Sequence, residues 1–290
     1  MTKSKKIRSA EAVKKIQSMF SCPYCSTSMT VVNLQSLVCQ NRHTFDFAKQ
    51  GYLNLLRASP NNQYNQKLFL ARKEMIIEGQ LFAELHKKIS EIITNYFQRE
   101  NHITMLDLGC GEGSHLEMIA KQMIQNVTGI GMDISKEGIL QASKSYDDYT
   151  WIVGDLTHSP FSNHNLDVVL NILSPSNYLE FSRLLKSEGL LIKVIPRNLY
   201  LIELRQFFYN DEDTNTYDNQ KTTKRFSEHF NHYETFTITY EKELKPESFS
   251  NLVEMTPLTW SVSETKIAQF LQDPPPKITV DFDVLVGYNH

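Results

Sequence analysis

Five short apolar runs, each ending in polar or glycine residues, follow one another in the middle of this chain of 290 residues. They are ITMLDLG (103–109), NVTGIGMD (126–133), YTWIVGD (149–155), LDVVLNIL (166–173) and GLLIKVIP (189–196). Helix-like segments separate them, around 114–123, 135–146, 177–186 and 198–209. Strands that alternate with helices at this interval predict βαβ units, and therefore an α/β fold with a buried, doubly wound parallel sheet.

The segments on either side of these runs complete the expected domain. Between residues 67 and 98 apolar residues recur at spacings of three to five, which predicts one or two amphipathic helices, broken at Gly79. Near the end, HYETFTITYEKEL (232–244) and PKITVDFDVLVGY (276–288) have the pattern of two long strands. We expect these strands to form an antiparallel hairpin at the edge of the parallel sheet.

The sequence LDLGCGEGSH (106–115) joins the first predicted strand to the helix that follows it. Its three glycines, Gly109, Gly111 and Gly113, let the backbone bend sharply and approach a ligand where a Cβ would interfere. Asp107, at the end of the strand, is placed to accept hydrogen bonds from a ligand amine or from loop amides. Because glycine turns also simply join strands to helices, the loop alone leaves a cofactor site and a plain turn equally open.

Two further acids end the next two predicted strands. Asp133 follows the glycine loop by about twenty residues, the position at which an acidic side chain binds ribose hydroxyls. Asp155 stands where a carboxylate meets an adenine amino group beside an apolar wall such as Leu156. Each Asp alone is equally suited to cap the next helix or turn. All three acids nevertheless fall at the carboxyl ends of strands, where open α/β sheets bind their ligands.

A dinucleotide-binding Rossmann dehydrogenase is the near alternative for this site. Its G-x-G-x-x-G fingerprint sets a helix N-terminus against a pyrophosphate, whereas here the third glycine comes one residue early and Asp107 precedes the glycines. A ligand with a cationic amino-acid end and no phosphate suits that carboxylate. The pattern D-x-G-C-G-x-G closely resembles that of class I S-adenosylmethionine-dependent methyltransferases, which implies S-adenosylmethionine as the cofactor.

Three of the four cysteines lie in the stretch CPYCSTSMTVVNLQSLVCQNRH, residues 22 to 43. Cys22 and Cys25 form a C-x2-C pair, thirteen residues separate Cys25 from Cys39, and three more separate Cys39 from His43. Two ligand pairs with this separation are typical of a tetrahedral structural zinc site, and four protein ligands leave no position for a catalytic water. A segment this short has little core of its own, so we expect zinc binding to supply its folding free energy. Cys110, inside the glycine loop, is not expected to bind metal.

Charge and composition suggest four segments and a polyanionic partner. Residues 1–73 carry twelve Lys and Arg against two acidic residues, although the net charge of the whole chain is −3. We predict a basic tail (1–20), a zinc-binding β module (21–57), a basic polar linker (58–73) containing the turn-rich SPNNQYNQ, and the α/β domain (74–290). No apolar run approaches the roughly 18 residues of a membrane helix and no secretory signal is apparent, so we expect a cytoplasmic protein.

The order of zinc module, basic connector and methyltransferase-like domain resembles the bacterial 23S rRNA (guanine-N1)-methyltransferase family. The resemblance covers nearly the whole chain after residue 20. It rests on FSCPYC (20–25), CQNRHTFDFAKQGYLNLL (39–56), AR (71–72), LDLGCGEG (106–113), SPSNYLEFSRLLK (174–186), P-x3-Y-L-x-E-L (196–204) and MTPLTW (255–260). Where the family's other main branch reads more like Arg-x-Tyr-x-Pro, this chain has Asn171-Ile-Leu-Ser-Pro175, which looks like the Gram-positive branch. That difference leaves open which guanine is the target.

This resemblance implies methyl transfer from S-adenosylmethionine to N1 of a guanine in the helix 35 hairpin of 23S rRNA. It implies zinc on Cys22, Cys25, Cys39 and His43. It also implies cofactor binding by the loop Gly109–Gly113, which includes Glu112, with Phe82 and Tyr200 flanking the ligand. The implied partners are 23S rRNA and a second copy of the chain, with no DNA and no membrane, and an effect on antibiotics that bind near the hairpin is implied as well.

The segment after the fourth predicted strand is where the target base would lie. Asn171 is a candidate to bind the edge of the base and Pro175 to shape the wall, although a plain β-to-α turn capped by Asn171 is an alternative. No general base can be named. RNA affinity is expected from Lys and Arg side chains that contact phosphates; the candidates are Arg42, Lys49, Arg57, Lys67, Arg72 and Lys73. A methyltransferase of small molecules and a non-catalytic RNA-binding assembly factor remain competing interpretations.

Overall fold

The computed structural model describes residues 3–57, 64–209 and 219–289. Near its start lies a small antiparallel sheet of three strands: β1 (Met29–Val32), β2 (Ser36–Cys39) and β3 (Thr44–Asp46). Met29 pairs with Cys39, and Leu37 pairs with Phe45. The alternation of inward apolar and outward polar residues gives this sheet one buried face. The predicted small zinc-binding β module is therefore present as a folded unit.

The second sheet contains eight strands, and its order along the sheet is β10-β11-β9-β8-β5-β6-β7-β4. The strands are β4 (Leu53–Asn54), β5 (His102–Leu108), β6 (Asn126–Asp133), β7 (Thr150–Val153), β8 (Leu166–Ile172), β9 (Leu185–Pro196), β10 (Tyr233–Glu243) and β11 (Lys277–Asn289). The strands from β4 to β9 run parallel, while β11 pairs antiparallel with both β9 and β10. The predicted α/β sheet with an antiparallel edge hairpin is confirmed.

Burial along the strands explains this arrangement. In β5 and β7 nearly every residue is buried, because helices cover both faces of the parallel strands. In β10 exposed residues alternate with half-buried ones, since it is an edge strand with only one packed face. Phe236, Ile238 and Tyr240 supply that face and pack against the main core.

Ten α-helices connect and cover the strands of the described residues. They are α1 (Lys5–Lys15), α2 (Gln66–Ile77), α3 (Ala83–Tyr96), α4 (Ser114–Ala120), α5 (Lys136–Ser145), α6 (Tyr178–Leu184), α7 (Ile202–Phe208), α8 (Gln220–His229), α9 (Phe249–Met255) and α10 (Glu264–Gln272). Polar side chains fix where several of them begin: Ser135 accepts a hydrogen bond from Gly138 N at 3.3 Å, and Asn177 accepts one from Glu180 N at 3.3 Å. None of the helices among the residues described is long and apolar enough to cross a membrane.

Residues 5–20 do not form the basic tail that the sequence predicts for residues 1–20. Helix α1 buries Ala10 and Val13 completely, and Phe20 forms a bridge to Phe161 with ring centroids 5.3 Å apart. Residues 5–20 therefore pack on the second sheet. A stretch rich in Lys becomes ordered in this way because its few apolar side chains fall on one side of the helix.

The predicted boundaries of the zinc module and the linker also shift. Leu53 and Asn54 of β4 pair in parallel with Ile152 and Val153, so the end of the predicted module (21–57) belongs to the second sheet. Of the predicted linker (58–73), residues 58–63 lie outside the described ranges. From Gln66 onward it is helix α2, whose start is capped by Asn65 through a 2.9 Å hydrogen bond from Leu68 N. Residues 66–73 are therefore part of the main domain.

Candidate functional site

The four predicted zinc ligands come together at one end of the small sheet. Cys22 and Cys25 lie in the turns before β1, Cys39 ends β2, and His43 follows a tight turn. Their ligand atoms all lie within 4.8 Å of one another, with Cys25 Sγ 3.7 Å from Cys39 Sγ and Cys39 Sγ 3.3 Å from His43 Nδ1. A tetrahedral zinc with sulfur ligands at about 2.3 Å holds its sulfurs about 3.8 Å apart. The cluster therefore fits zinc.

The acidity of the thiols supports the same conclusion. Thr27, whose hydroxyl is 3.2 Å from Cys25 Sγ, lowers the pKa of Cys25 to about 5. Burial raises the pKa of Cys22 to about 11, so this thiol needs a cation to become a thiolate. None of the three cysteines is in a disulfide. The sulfurs are thus free for a metal ion, and the protonation state of Cys22 depends on it.

A cavity of about 610 Å³ opens where the parallel strands end. Its wall includes seven of the ten residues predicted to bind the cofactor: Phe82, Gly109, Gly111, Asp133, Asp155, Leu156 and Tyr200. The volume lies in the range of small-molecule sites. The cavity also lies at the strand ends, where ligands of open α/β sheets bind. The structure therefore brings most of the predicted cofactor residues into one site.

The glycine loop has the conformation that its sequence predicts. Gly109 has φ +83°, and a Cβ there would come within 2.0 Å of Ser174 Oγ. Gly113 has φ +84°, and a Cβ there would come within 2.3 Å of the Trp151 ring. Neither position tolerates a side chain without moving its neighbours. Gly113 shapes the loop from behind and does not line the cavity.

Asp133 and Asp155 are held by backbone amides at the cavity wall. Asp133 accepts hydrogen bonds from Gly111 N at 2.8 Å and from Ser135 N at 2.7 Å. Asp155 Oδ1 accepts from the amide of Thr157 at 2.8 Å and from its hydroxyl at 2.7 Å. Since a carboxylate has about four acceptor sites, each side chain keeps capacity for ligand hydroxyls or amines. Both are therefore caps and potential ligand contacts at once.

Two of the predicted cofactor residues, Phe82 and Tyr200, form an aromatic wall. Phe82 is 2% exposed, and its ring centroid lies 5.4 Å from that of His115. Tyr200 lies 4.8 Å from Phe282 between ring centroids, and Phe82 lies 5.7 Å from the same ring. Phe282, on β11, thus fixes both rings against the site.

Asp107 and Glu112 lie just behind the wall. Neither oxygen of the Asp107 carboxyl has a hydrogen-bond partner, although the residue is 1% exposed, and burial raises its pKa to about 7. A buried acceptor without a partner is costly unless a ligand satisfies it. The cationic amino-acid end of S-adenosylmethionine would supply donors of that kind, so the residues present fit this cofactor.

Arg72, predicted to contact RNA, lies in the wall of this site. Its Nε lies 3.3 Å from Glu112 Oε2, and its guanidinium lines the cavity beside Gly111. A cation engaged with a buried carboxylate is not available to the phosphates of an RNA. The contact with Glu112 was not apparent from the sequence, because residues 58–73 are predicted as a linker whereas residues 66–77 form helix α2.

Asn171 is likewise placed differently from its prediction. Its side chain is fully buried and does not line the cavity; its amide donates to Leu108 O at 2.9 Å and to Pro175 O at 3.1 Å. Its Oδ1 accepts from Lys193 Nζ at 2.6 Å. Asn171 thus holds the turn after β8 and has no free group for a base. Pro175 does line the cavity.

Several residues of the cavity wall are missed by the sequence analysis. They are Tyr64, Phe69, His115, Lys193 and Trp260, of which Lys193 is 3% exposed. Lys193 could have been predicted from the sequence, because it is a charged residue within the otherwise apolar strand GLLIKVIP. The aromatic pair Tyr64–Trp260, with ring centroids 5.6 Å apart, could not be predicted, because its two residues come from segments far apart in sequence.

Of the remaining basic candidates, Arg42, Lys49 and Arg57 follow the zinc ligands in sequence, whereas Lys67 and Lys73 lie on helix α2. Arg42, Lys49, Arg57 and Lys67 are exposed, although Arg57 Nε donates to Pro23 O. Lys73 is half-buried and donates to Ser145 Oγ at 3.1 Å. Four of the six predicted cations are therefore exposed, and Arg72 and Lys73 are engaged within the main domain.

The sheet order, the glycine loop after β5 and the acids at the ends of β6 and β7 are those of a class I S-adenosylmethionine-dependent methyltransferase. A family model described as "Methyltransferase domain" matches residues 105–189, and one described as "RlmA, N-terminal" matches residues 20–62. YxjB of Bacillus subtilis (strain 168), provisionally named a 23S rRNA (guanine-N1)-methyltransferase, is 43% identical over 273 residues, 93% of this chain and 97% of YxjB. This chain therefore belongs to the 23S rRNA (guanine-N1)-methyltransferase family.

Other similarities are weaker. A Streptomyces fradiae protein named 23S rRNA (guanine(748)-N1)-methyltransferase is 27% identical over 184 residues, 63% of this chain and 65% of that protein. The YcgJ protein of Bacillus subtilis has a TM-score of 0.43 at 14% identity, covering 66% of this chain and 93% of that one. YxjB, the 43% identical relative from Bacillus subtilis, fits the predicted Gram-positive branch.

Proposed function

We propose that this chain transfers the methyl group of S-adenosylmethionine to N1 of a guanine in the helix 35 hairpin of 23S rRNA. The observation that carries the proposal is the 43% identity to YxjB, which extends across both the zinc-ligand segment and the cofactor cavity. Methyl transfer of this kind is an in-line displacement. Most of the catalysis can therefore come from the position in which the protein holds the reacting groups.

Different residues of the cavity would bind different parts of the cofactor. Asp133 would bind the ribose hydroxyls, and Asp155 with Leu156 would bind the adenine, as their places at successive strand ends suggest. Asp107 and the glycine loop would hold the amino-acid end, while Phe82 and Tyr200 exclude water beside it. The bound cofactor supplies an electrophilic methyl group on a sulfonium.

The guanine would enter beside the turn that follows β8. Leu173, Ser174 and Pro175 form that side of the cavity, and the half-exposed rings of Tyr64 and Trp260 also line it. Because N1 of a paired guanine lies in the Watson–Crick edge, the target must be unpaired or flipped out of its helix. Aromatic side chains are suited to stack on such a base.

RNA binding and the formation of a homodimer are part of the same proposal. The exposed cations Arg42, Lys49, Arg57 and Lys67 would contact phosphates and position the hairpin. The family resemblance implies a homodimer whose paired zinc modules border the RNA, a cytoplasmic location where rRNA is modified, and an effect on antibiotics that bind near the hairpin. Light scattering of the purified protein tests the dimer.

Mass spectrometry of 23S rRNA tests the function. We expect N1-methylguanine in the helix 35 hairpin of cells that contain the protein, its loss on gene deletion, and its return with the wild-type gene but not with Asp133→Ala. Unchanged rRNA combined with methylation of a metabolite by the purified protein would instead favour a small-molecule methyltransferase. RNA binding without methylation of any substrate would favour an assembly factor.

A further inference from the structure

Lys193 is a buried lysine in the wall of the cavity that would receive the guanine. It lies on β9 between Asn171 of β8 and Leu285 of β11, and it is 3% exposed. Its Nζ donates to Asn171 Oδ1 at 2.6 Å and to the carbonyl oxygen of Ser174. Among the described residues it forms no ion pair with a carboxylate. A buried amine with hydrogen bonds but no carboxylate partner is costly to the fold when it is charged, which points to a functional reason.

The two hydrogen bonds leave one position on Nζ for a bound molecule. A neutral amine has two N–H donors and one lone pair, whereas an ammonium group has three donors. Both protein partners are acceptors, so a neutral Lys193 uses its two donors on them and keeps its lone pair for the cavity. Burial lowers the pKa of Lys193 from 10.5 to about 8, so about a tenth of it is neutral at pH 7 and about half at pH 8.

The other ionisable groups of the cavity are less suited to accept a proton. Asp133 and Asp155 already accept two hydrogen bonds each from the protein. His115 Nδ1 is 2.8 Å from His86 Nε2, and burial holds the pKa of His115 well below its ordinary value. The remaining ionisable groups in the wall are weak bases or cations: Tyr64, Arg72 and Tyr200. On β11, which packs beside Lys193, Asp281 and Asp283 are paired with Arg197.

We propose that Lys193 is the catalytic base that removes the proton from guanine N1, an inference that rests on the proposed function. The N1–H bond breaks, its proton moves to Lys193 Nζ, and its electron pair stays on N1. That pair forms the bond to the methyl carbon while the electrons of the sulfur–carbon bond pass to sulfur. The products are neutral N1-methylguanine, neutral S-adenosylhomocysteine and a Lys193 ammonium group, which balances atoms and charge.

Asn171 and Ser174 become positioning groups in this scheme. They fix the direction of Nζ, and both stabilise the ammonium that forms. A purely structural Lys193 would instead only hold the turn Leu173–Pro175 in place. The two roles differ in one respect. A structural lysine needs only its N–H donors, whereas a base must also be able to become neutral, so that its lone pair can accept a proton.

Lys193→Arg and Lys193→Ala separate these roles. Arginine keeps the donors and the positive charge but does not lose its proton in proteins, so we expect kcat on the 23S rRNA hairpin to fall by about 100-fold or more. Affinity for S-adenosylmethionine, measured by calorimetry, should stay within about twofold, because the lysine is not among the proposed cofactor contacts. For Lys193→Ala, added methylamine or ethylamine should restore the rate in proportion to the concentration of free amine.

Two pH-dependent measurements complete the test. In the wild type kcat should rise with pH through an inflection near 8, since only the neutral amine is active, and Lys193→Arg should lose this inflection. NMR of Lys labelled at Cε, with the signal assigned by its loss in Lys193→Arg, should show one lysine titrating near pH 8. An ordinary lysine pKa, or a Lys193→Arg enzyme of wild-type rate, overturns the proposal. Failure of the wild type to methylate guanine N1 would overturn the proposed function instead.

Discussion

The side chain of Arg72 reaches from helix α2 to the glycine loop, where its Nε lies 3.3 Å from Glu112 Oε2. The Glu112 side chain is 1% exposed and that of Arg72 is 23% exposed. The first helix after the zinc module is thereby tied to the loop that would hold the cofactor. Phe69, one turn earlier on α2, also packs close to Gly111. A shift of α2 would therefore move part of the wall of the cofactor cavity.

Arg72→Gln should destabilise the protein and weaken cofactor binding. The substitution leaves Glu112 buried without its partner, and breaking a buried pair in this way costs about 3 kcal/mol. Urea unfolding measures the stability and calorimetry the affinity for S-adenosylmethionine. Lys121→Gln, which removes the exposed partner of Glu117, is the matched control and should change stability by less than about 1 kcal/mol. Equal effects of the two substitutions would contradict a special role for the Arg72–Glu112 pair.

Replacing Cys22 and Cys25 together by Ser should abolish rRNA methylation while leaving S-adenosylmethionine binding nearly intact. Both thiolates are needed to hold zinc, and the zinc cluster lies in the small sheet, outside the cofactor cavity. Elemental analysis measures zinc, calorimetry the cofactor affinity and mass spectrometry the methylated base. Cys110→Ser, at the cysteine outside the cluster, should retain zinc. If cofactor binding is lost together with methylation, zinc supports the whole fold.

Asp133→Ala should reduce the affinity for S-adenosylmethionine by about 100-fold or more. It removes the carboxylate proposed to bind the ribose and also the acceptor for Gly111 N and Ser135 N, and each lost charged hydrogen bond costs about 1.5–3 kcal/mol. Asp148→Ala, at an exposed position between α5 and β7, serves as the control. Unchanged affinity in calorimetry would remove Asp133 from the site.

Cofactor binding should release a proton near pH 7. Burial raises the pKa of Asp107 from its ordinary 3.8 to about 7 in the ligand-free protein, and a cationic ligand would lower it again. Because the folded-state pKa is the higher one, the ligand-free protein loses stability as the pH rises from 3.8 through about 7, and ligand affinity increases over the same window. Calorimetry in buffers of different ionisation enthalpy measures the released proton. Asp107→Asn should abolish the release, and persistence of the release in that variant would assign the proton to another group.

Arg42→Ala and Lys49→Ala should weaken RNA binding without affecting S-adenosylmethionine. Each exposed cation that contacts a phosphate contributes about one unit to the slope of log affinity against log salt concentration. Fluorescence anisotropy with a 23S rRNA hairpin, measured over a range of salt concentrations, gives both affinity and slope. Lys277→Ala, which removes an exposed cation paired with Glu241 on the edge hairpin, should leave the slope unchanged. A slope that stays constant in all three variants would place the RNA elsewhere.

Most of the sheet could be predicted because parallel strands buried on both faces leave unmistakable apolar runs. The predicted strand 126–133 matches β6 residue for residue, and Asp133 stands at its end as expected. Strand β4 could not be predicted, since two residues carry no periodicity and their partners, Ile152 and Val153, are far away in the sequence. Helix α1 was obscured by its lysines, because its burial depends on only a few apolar side chains.

The site was predictable where chemistry depends on the backbone and less so where it depends on packing. The positive φ angles of the loop favour glycine, so the glycines in the sequence indicate the loop directly. The roles of Asn171 and Lys193 depend on a hydrogen bond between neighbouring strands, and spacing along the chain does not show which side chains face each other. The sequence predicts an RNA contact for Arg72 because its sequence neighbours are basic, whereas its spatial neighbour is Glu112.

The parallel pairing of Leu53–Asn54 with Ile152–Val153 also has a consequence for how the protein forms during synthesis. The zinc cluster is built from residues 22 to 43 and can close as soon as they leave the ribosome. The strand just after it must wait until the residues around 152 have been made, because contacts distant in sequence form late. A newly made zinc module can therefore bind zinc before Leu53 and Asn54 have their partners on β7, and so before the catalytic domain is complete.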